Sequence, residues 1–293
     1  MAIINEILHG DCLDHLSNKD FAPDDSIDLI LTSPPYADQR AKSYGGVEPN
    51  KYVEWFLPIS LQLKRVLKES GSFILNIKEH PENGERQTYV IELILALRNQ
   101  GWYWIEEYCW YKKNSFPGKW PNRFRDSWER CLHFTKNKKF NMYQDEVMVP
   151  IGDWAERRFK SMTENDFIRY TSKNDSNLGR KVANWLDRKK VYPHNVLVFE
   201  NEHYIEPTNV LEFATECSNK NHSAAFPIEL PIWFIKLLTK EGDLVLDPFI
   251  GSGTTAVASV LLNRSYLGLE ISREYQQEAL KNIIEVRHIK RRK

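Results

Sequence analysis

Cysteine is scarce in this 293-residue chain, with four residues at 12, 109, 131 and 217. No two fall within four positions of each other, a spacing that supplies neither a zinc site nor a disulfide framework. They read as reduced thiols of a cytoplasmic protein. Long apolar runs are missing too. No stretch of 18 apolar residues occurs, and the greasiest segment, 91–97, is interrupted by Glu92 and closed by Arg98, so no membrane span is expected. The first residues carry neither a basic n-region nor an apolar h-region, so no secretion signal is expected either. Net charge is also absent: 40 Lys+Arg balance 40 Asp+Glu.

What is present is an ordinary globular composition, 42% apolar, 27% charged and 12% aromatic. It suffices for one large core, or for one core and a modest second domain. The neutral total conceals a division. Residues 108–190 hold 19 Lys+Arg against 10 Asp+Glu, and the remainder holds 21 against 30. A basic central third suits a polyanion met by one region only, and a solvated loop region that drifted basic gives the same count.

Short apolar runs alternate with segments of helical period. Residues 5–9, 27–32, 72–77, 102–111, 244–246 and 265–270 read as strands. Residues 52–68, 90–99, 228–239, 254–262 and 273–286 read as helices. Gly71 is the expected stop of the first long helix, and the basic tail 288–293 is expected to fray. This alternation is that of an α/β sheet with crossover helices. Between about 112 and 207 the period is lost, yet Trp120, Trp128, Trp154 and Trp185 make the segment too aromatic for disorder. It reads as an irregular insert with a small core of its own.

Several strands end in polar or glycine-rich turns: Asp11, Thr32-Ser33, Asp247 and Glu270. Ligands of open α/β sheets bind beyond the carboxyl ends of strands, so these residues would line one crevice. After the strand at 244–246 comes Asp247-Pro248-Phe249-Ile250-Gly251-Ser252-Gly253-Thr254-Thr255. Its two glycines let the backbone approach a ligand, and neither a Walker lysine nor a third dinucleotide-type glycine follows. Glu270 closes the next strand 19 residues after Gly251, a spacing suited to ribose hydroxyls. A tight connection with a solvated Glu is the plainer alternative. Thr32-Ser33-Pro34-Pro35-Tyr36 is more specific. Two prolines stiffen the backbone, so Ser33 and the Pro34 carbonyl become two fixed acceptors beside the stacking face of Tyr36. An amine held between two such acceptors has its lone pair drawn out of ring conjugation.

On these residues the chain resembles the amino-methylating (N4-cytosine/N6-adenine) DNA methyltransferases. The order, with the Ser33–Tyr36 motif first and the glycine loop last, resembles their β class. That resemblance implies a Rossmann-like methyltransferase sheet, circularly permuted, with an inserted target-recognition region. Residues 1–111 and 208–293 would form the catalytic and S-adenosylmethionine-binding domain, and 112–207 the insert. It also implies roles. Ser33, Pro34, Pro35 and Tyr36 would be catalytic. Asp11 and Cys12, in a segment similar to one that contacts the adenine, would bind cofactor with Thr32, Phe226, Asp247, Pro248, Phe249, Gly251, Ser252, Gly253, Thr254, Thr255 and Glu270. His222 to Pro227 is similar to the segment that packs on the cofactor.

No cysteine stands in the Pro-Cys context that C5-cytosine methylation requires, and methyl transfer from a sulfonium needs no metal. In the family, serine at the first motif position accompanies N4-cytosine enzymes, and Asp or Asn usually accompanies N6-adenine enzymes, so Ser33 favours cytosine N4. The expected partner is double-stranded DNA with its target base flipped out. A restriction endonuclease of the same site and a homodimer are further partners that the resemblance leaves open. Arg123, Arg125, Arg157, Arg158, Lys189 and Lys190 are candidate DNA contacts, and residues 37–50 a candidate loop that orders over cofactor or DNA. The rival readings are an N6-adenine enzyme, a methylase of RNA or a small molecule, and a non-catalytic DNA-binding protein of the same fold.

Overall fold

The computed structural model describes residues 4–37, 46–79, 81–112, 124, 126–151, 157, 160–161, 190–197 and 226–291. Its main elements are β1 (Glu6–His9), α1 (Cys12–Ser17), β2 (Ile27–Thr32), α2 (Tyr52–Val66), β3 (Leu67–Ile77), α3 (Tyr89–Asn99), β4 (Tyr103–Tyr111), β5 (Trp128–Thr135), β6 (Val196–Leu197), α4 (Glu229–Leu238), β7 (Leu244–Asp247), α5 (Thr254–Leu261), β8 (Ser265–Glu270) and α6 (Arg273–Arg291). These strands form one sheet in the order β1-β8-β7-β2-β3-β5-β4-β6. All neighbours run parallel except β5, which is antiparallel to both β3 and β4.

The expected permutation is visible at one edge. β1, first in the chain, extends the sheet beyond β8, with Glu6 opposite Leu267 and His9 opposite Glu270. Gln276 on α6 donates to the Ile7 carbonyl at 2.9 Å, which ties the two ends of the chain together. β2 is buried on both faces, as a strand covered by crossover helices must be. Its one acid, Asp28, is fully used: it accepts from Lys68 at 2.7 Å and from the Leu244 amide at 3.0 Å.

One face of the sheet is covered by α1, α2 and α3. α2 buries Phe56, Ile59, Leu63 and Val66, the stripe that its period presents. The other face is covered by α4 and α5 through Phe234, Ile235, Leu238 and Ala258. Each fully buried Phe or Leu of these stripes contributes roughly 1.5–3 kcal/mol of transfer free energy.

Three expectations change. Gly71 does not end a helix: α2 stops at Val66, Leu67 turns extended at φ −68° and ψ 136°, and Gly71 lies inside β3. The central span is not wholly irregular, because β5 completes the sheet between β3 and β4. Its Glu129, Arg130 and His133 broke the apolar pattern in the sequence. In the fold each has a partner, namely Lys112, Glu107 and, at 3.0 Å, the Ser72 hydroxyl. The tail does not fray before Arg291, and Lys290 anchors it by donating to the Val260 carbonyl at 2.7 Å.

Candidate active site

β7 leads through α5 to β8 on one side, while β2 leads through α2 to β3 on the other. The connections therefore diverge between β7 and β2, and a crevice opens at the carboxyl ends of the strands beside that point. One cavity occupies it. Ser33, Pro34, Pro35 and Tyr36 line it from the end of β2; Asp247, Pro248, Phe249, Gly251, Ser252 and Thr254 line it from the turn after β7. Asp11, Cys12, Phe226 and Glu270 complete the expected set at its wall.

Thr32, Gly253 and Thr255 do not line it and hold the turn from behind. Asp247 is buried and accepts from the Thr32 hydroxyl at 2.6 Å, the Thr255 hydroxyl at 2.7 Å and the Phe249 amide at 3.1 Å. Burial pushes its pKa up to about 6 against the pull of those three donors. With both oxygens engaged, the carboxylate organises the turn. Gly253 starts α5 at φ +89°, and a Cβ there would come 2.8 Å from that of Ala279. Glu270 accepts from the Gly251 amide at 2.9 Å and from the Ser272 amide at 2.9 Å, and burial raises its pKa. A carboxylate has about four lone-pair directions, so Glu270 can still accept from a ligand hydroxyl beside these donors. Asp11 caps α1 by accepting from the Leu13 amide at 2.8 Å, and burial beside Asp11 pushes the Cys12 thiol up to about 12.

Gly251 reads differently from Gly253. Its φ is +54°, and a Cβ built on it would meet no protein atom within 4 Å. The turn thus leaves an open gap at its tip on the cavity side, floored by backbone and flanked by a carboxylate, with Phe249 and Ile250 also lining the cavity. That donor set fits an adenosine-type cofactor.

Other lining residues had no motif to announce them. Trp55 on α2 packs against Phe249 at 5.8 Å between ring centroids and faces the cavity with Ile59. In the sequence both were simply part of an apolar stripe. Ile271, 52% exposed in the fold, does carry a sequence signal, since it directly follows the terminal acid of β8. Gly46 and Val47 reach the cavity from the segment 37–50, whose residues 38–45 lie outside the described residues. Of the basic candidates, Arg157 and Lys190 are exposed, and Arg123, Arg125, Arg158 and Lys189 lie outside the described residues, as do His222 to Ala225.

Behind the Ser-Pro-Pro-Tyr corner runs a chain of polar groups that the sequence did not suggest. The Ser33 hydroxyl is 3.4 Å from the Tyr36 hydroxyl, which donates to Glu129 at 2.8 Å. Asn76 donates to the same carboxylate oxygen at 3.2 Å and to the Arg130 carbonyl at 3.1 Å. Lys112 pairs with the other oxygen and rests over the Trp110 ring at 4.7 Å. Burial alone would raise the pKa of Glu129, but Lys112 and the donated hydrogen bonds hold it below the usual carboxylate range.

A permuted α/β sheet with a glycine turn and the Ser-Pro-Pro-Tyr corner on one cavity is the arrangement of a methyltransferase of the amino-methylating type. The model of the DNA methylase family of N6 and N4 methyltransferases matches residues 27–281, and the chain belongs to that family, which uses S-adenosylmethionine. Among curated relatives, the type II methyltransferase M.PvuII of Proteus hauseri is 29% identical, over 91% of this chain and 80% of its own length. The orphan methyltransferase M.BamHII of Bacillus amyloliquefaciens is 31% identical over 91% and 93%. Among solved structures, the PvuII DNA methyltransferase (cytosine-N4-specific) superposes with a TM-score of 0.67 at 23% identity, covering all of this chain and 93% of that one. The M1.HpyAVI complex with S-adenosylmethionine superposes at 0.57 with 20% identity, over 97% and 99%. These two likenesses bear on the fold.

Proposed function

We propose that the enzyme methylates N4 of cytosine within a specific sequence of double-stranded DNA. The observation that carries this reading is Ser33. It opens the Ser-Pro-Pro-Tyr corner, it faces the cavity that the glycine turn also lines, and it is a serine where N6-adenine enzymes usually carry Asp or Asn. A solved structure of the same fold, PvuII DNA methyltransferase, is named cytosine-N4-specific, which supports the same choice.

When bound, S-adenosylmethionine supplies an electrophilic methyl group on a sulfonium. Glu270 is suited to its ribose, the Asp11–Cys12 turn to its adenine, and the 247–255 turn to the remainder, with Phe226, Pro248, Phe249, Ser252 and Thr254 shaping the wall. Thr32, Gly253 and Thr255 keep that turn in place from behind, and Asp247, at the cavity's edge, ties it to Thr32 and Thr255. A flipped cytosine enters beside Tyr36, which stacks on it. The Ser33 hydroxyl and the Pro34 carbonyl accept from the two amine hydrogens, and Pro35 stiffens the corner. Holding both hydrogens turns the nitrogen lone pair toward the methyl, so that the main catalytic demand is positioning for in-line displacement. Bound there, the cofactor would supply its methyl to that lone pair, and the amine hydrogen given up would leave as a proton by way of the Ser33 hydroxyl or the Pro34 carbonyl that holds it.

Within the expected insert 112–207, β5 belongs to the sheet. Reading of the DNA sequence is therefore assigned to the rest of that span, with its basic residues on phosphates. The cytoplasm is the place of action that this reading implies, and a restriction endonuclease and a second copy of the chain are the partners to seek. The test is to treat unmethylated duplex DNA with the enzyme and cofactor, digest it to nucleosides and identify the product by mass spectrometry. N4-methylcytosine is expected. N6-methyladenine would overturn the choice of base, and unmodified DNA would overturn the reading as a whole.

A further inference from the structure

Glu129 lies 93 residues from Tyr36 in sequence, near the start of the antiparallel strand β5, and is only 6% exposed. No motif includes it. A buried ionised carboxylate is an acceptor only, and the contacts of Glu129 among the described residues agree: Tyr36 and Asn76 donate to one oxygen, Lys112 to the other. That settles the direction of the next link. The single phenolic hydrogen of Tyr36 points at Glu129, 2.8 Å away, which is the shortest of its three possible directions; the Asn76 carboxamide oxygen and the Ser33 hydroxyl oxygen are each 3.4 Å away. The phenolic oxygen then has only lone pairs left to offer, and the hydroxyl at 3.4 Å from it is that of Ser33. Ser33 has one hydrogen, and the Tyr36 oxygen, 3.4 Å away, is an acceptor for it. What Ser33 presents to the cavity is a lone pair.

We propose that Glu129 is a positioning residue that sets the polarity of the chain Ser33→Tyr36→Glu129, so that Ser33 meets the base amine as an acceptor. The inference rests on the reading of Ser33 given above. Lys112 keeps the carboxylate ionised and so keeps the polarity from reversing. The buried acid acts on the substrate only through two hydroxyls and touches neither base nor cofactor.

Two variants and their combination test this. Glu129→Gln keeps the shape but offers an amide that can donate to Tyr36, which frees the phenolic hydrogen to turn toward Ser33. Tyr36→Phe keeps the stacking ring and removes the link, while leaving the Glu129–Lys112 pair intact. Each is expected to lower kcat by about tenfold, the scale of one misdirected hydrogen bond, with the Kd for S-adenosylmethionine unchanged by calorimetry. The double variant is expected to be no slower than Tyr36→Phe alone, because the two residues act in series. Losses that multiply, or a wild-type kcat in either single variant, would overturn the proposal. If Glu129→Gln fails to fold because Lys112 is left unpaired, Tyr36→Phe still decides, since an unchanged kcat there removes the link on which the proposal depends. Ser33→Ala distinguishes the two levels. If it too leaves kcat unchanged, the reading of Ser33 has failed; if it is slow while Tyr36→Phe and Glu129→Gln are normal, only the polarity argument has.

Discussion

Gly251 and Gly253 both have left-handed backbone, at φ +54° and +89°, yet alanine should damage different properties at the two positions. At Gly253 the new methyl would come 2.8 Å from the Ala279 Cβ and 3.1 Å from its Cα, backbone that cannot turn aside. The left-handed conformation costs a non-glycine residue roughly 1–2 kcal/mol, and overpacking a filled site costs about 1–3 kcal/mol more. Gly253→Ala should therefore lose about 2–5 kcal/mol of unfolding free energy. At Gly251 the methyl meets no protein atom within 4 Å, so only the backbone cost of roughly 1–2 kcal/mol remains. What that methyl fills is the gap assigned to the cofactor. Carbon atoms need a separation of about 3.5 Å, so the ligand must shift, and its affinity should fall by at least about tenfold, or 1.4 kcal/mol. The assay pairs urea denaturation without ligand with calorimetric binding of S-adenosylmethionine. Gly253→Ala should be the less stable protein, and Gly251→Ala the stable one that binds poorly. A Gly251→Ala protein with wild-type affinity would refute the placing of cofactor in that gap, and equal stabilities would refute the packing argument.

Ser33→Ala should lower kcat on the order of 10²-fold, as loss of one transition-state hydrogen bond does, while cofactor affinity measured by calorimetry stays as it was. His133 should make the fold sensitive to acid. Burial pushes its pKa down to about 3 from 6.5, so the unfolded chain binds the extra proton, and stability present above pH 6.5 is lost as the pH falls toward 3. Between pH 7 and pH 5 wild type should lose about 2 kcal/mol more than His133→Gln, at 1.36 kcal/mol per unit below 6.5. Urea midpoints at the two pH values check this, and equal losses would show that His133 is not buried in its neutral form. Asp247 titrates with the opposite sign over an overlapping range, so the difference between the proteins is the quantity to read.

Much of the fold is legible in local sequence because its strands are buried on both faces and its helices on one, which writes distinct periods into the chain. β2 and β8 begin and end where the apolar runs do. β5 escaped because its charges are satisfied by residues far away in sequence, and a partnered Glu129 cannot be told from a solvated one until Lys112 and Tyr36 are beside it. Likewise Gly71 has the look of a helix stop in isolation, whereas pairing with β2 carries the strand back to Leu67.

The Ser-Pro-Pro-Tyr corner and the Asp247–Thr255 turn were readable on their own, since prolines and glycines constrain their own backbone wherever they stand. That the two meet across one cavity follows from sheet order alone: β2 and β7, more than two hundred residues apart, are neighbours. Tertiary structure also separated the residues that can touch a ligand from those that brace the turn. Asp247 spends its charge on Thr32 and Thr255. Trp55 and Ile59 turn toward the site, and Glu129 stands behind Tyr36. Residue type and spacing carry what a side chain can do, but burial and hydrogen-bond partners, contributed by distant segments, decide what it does.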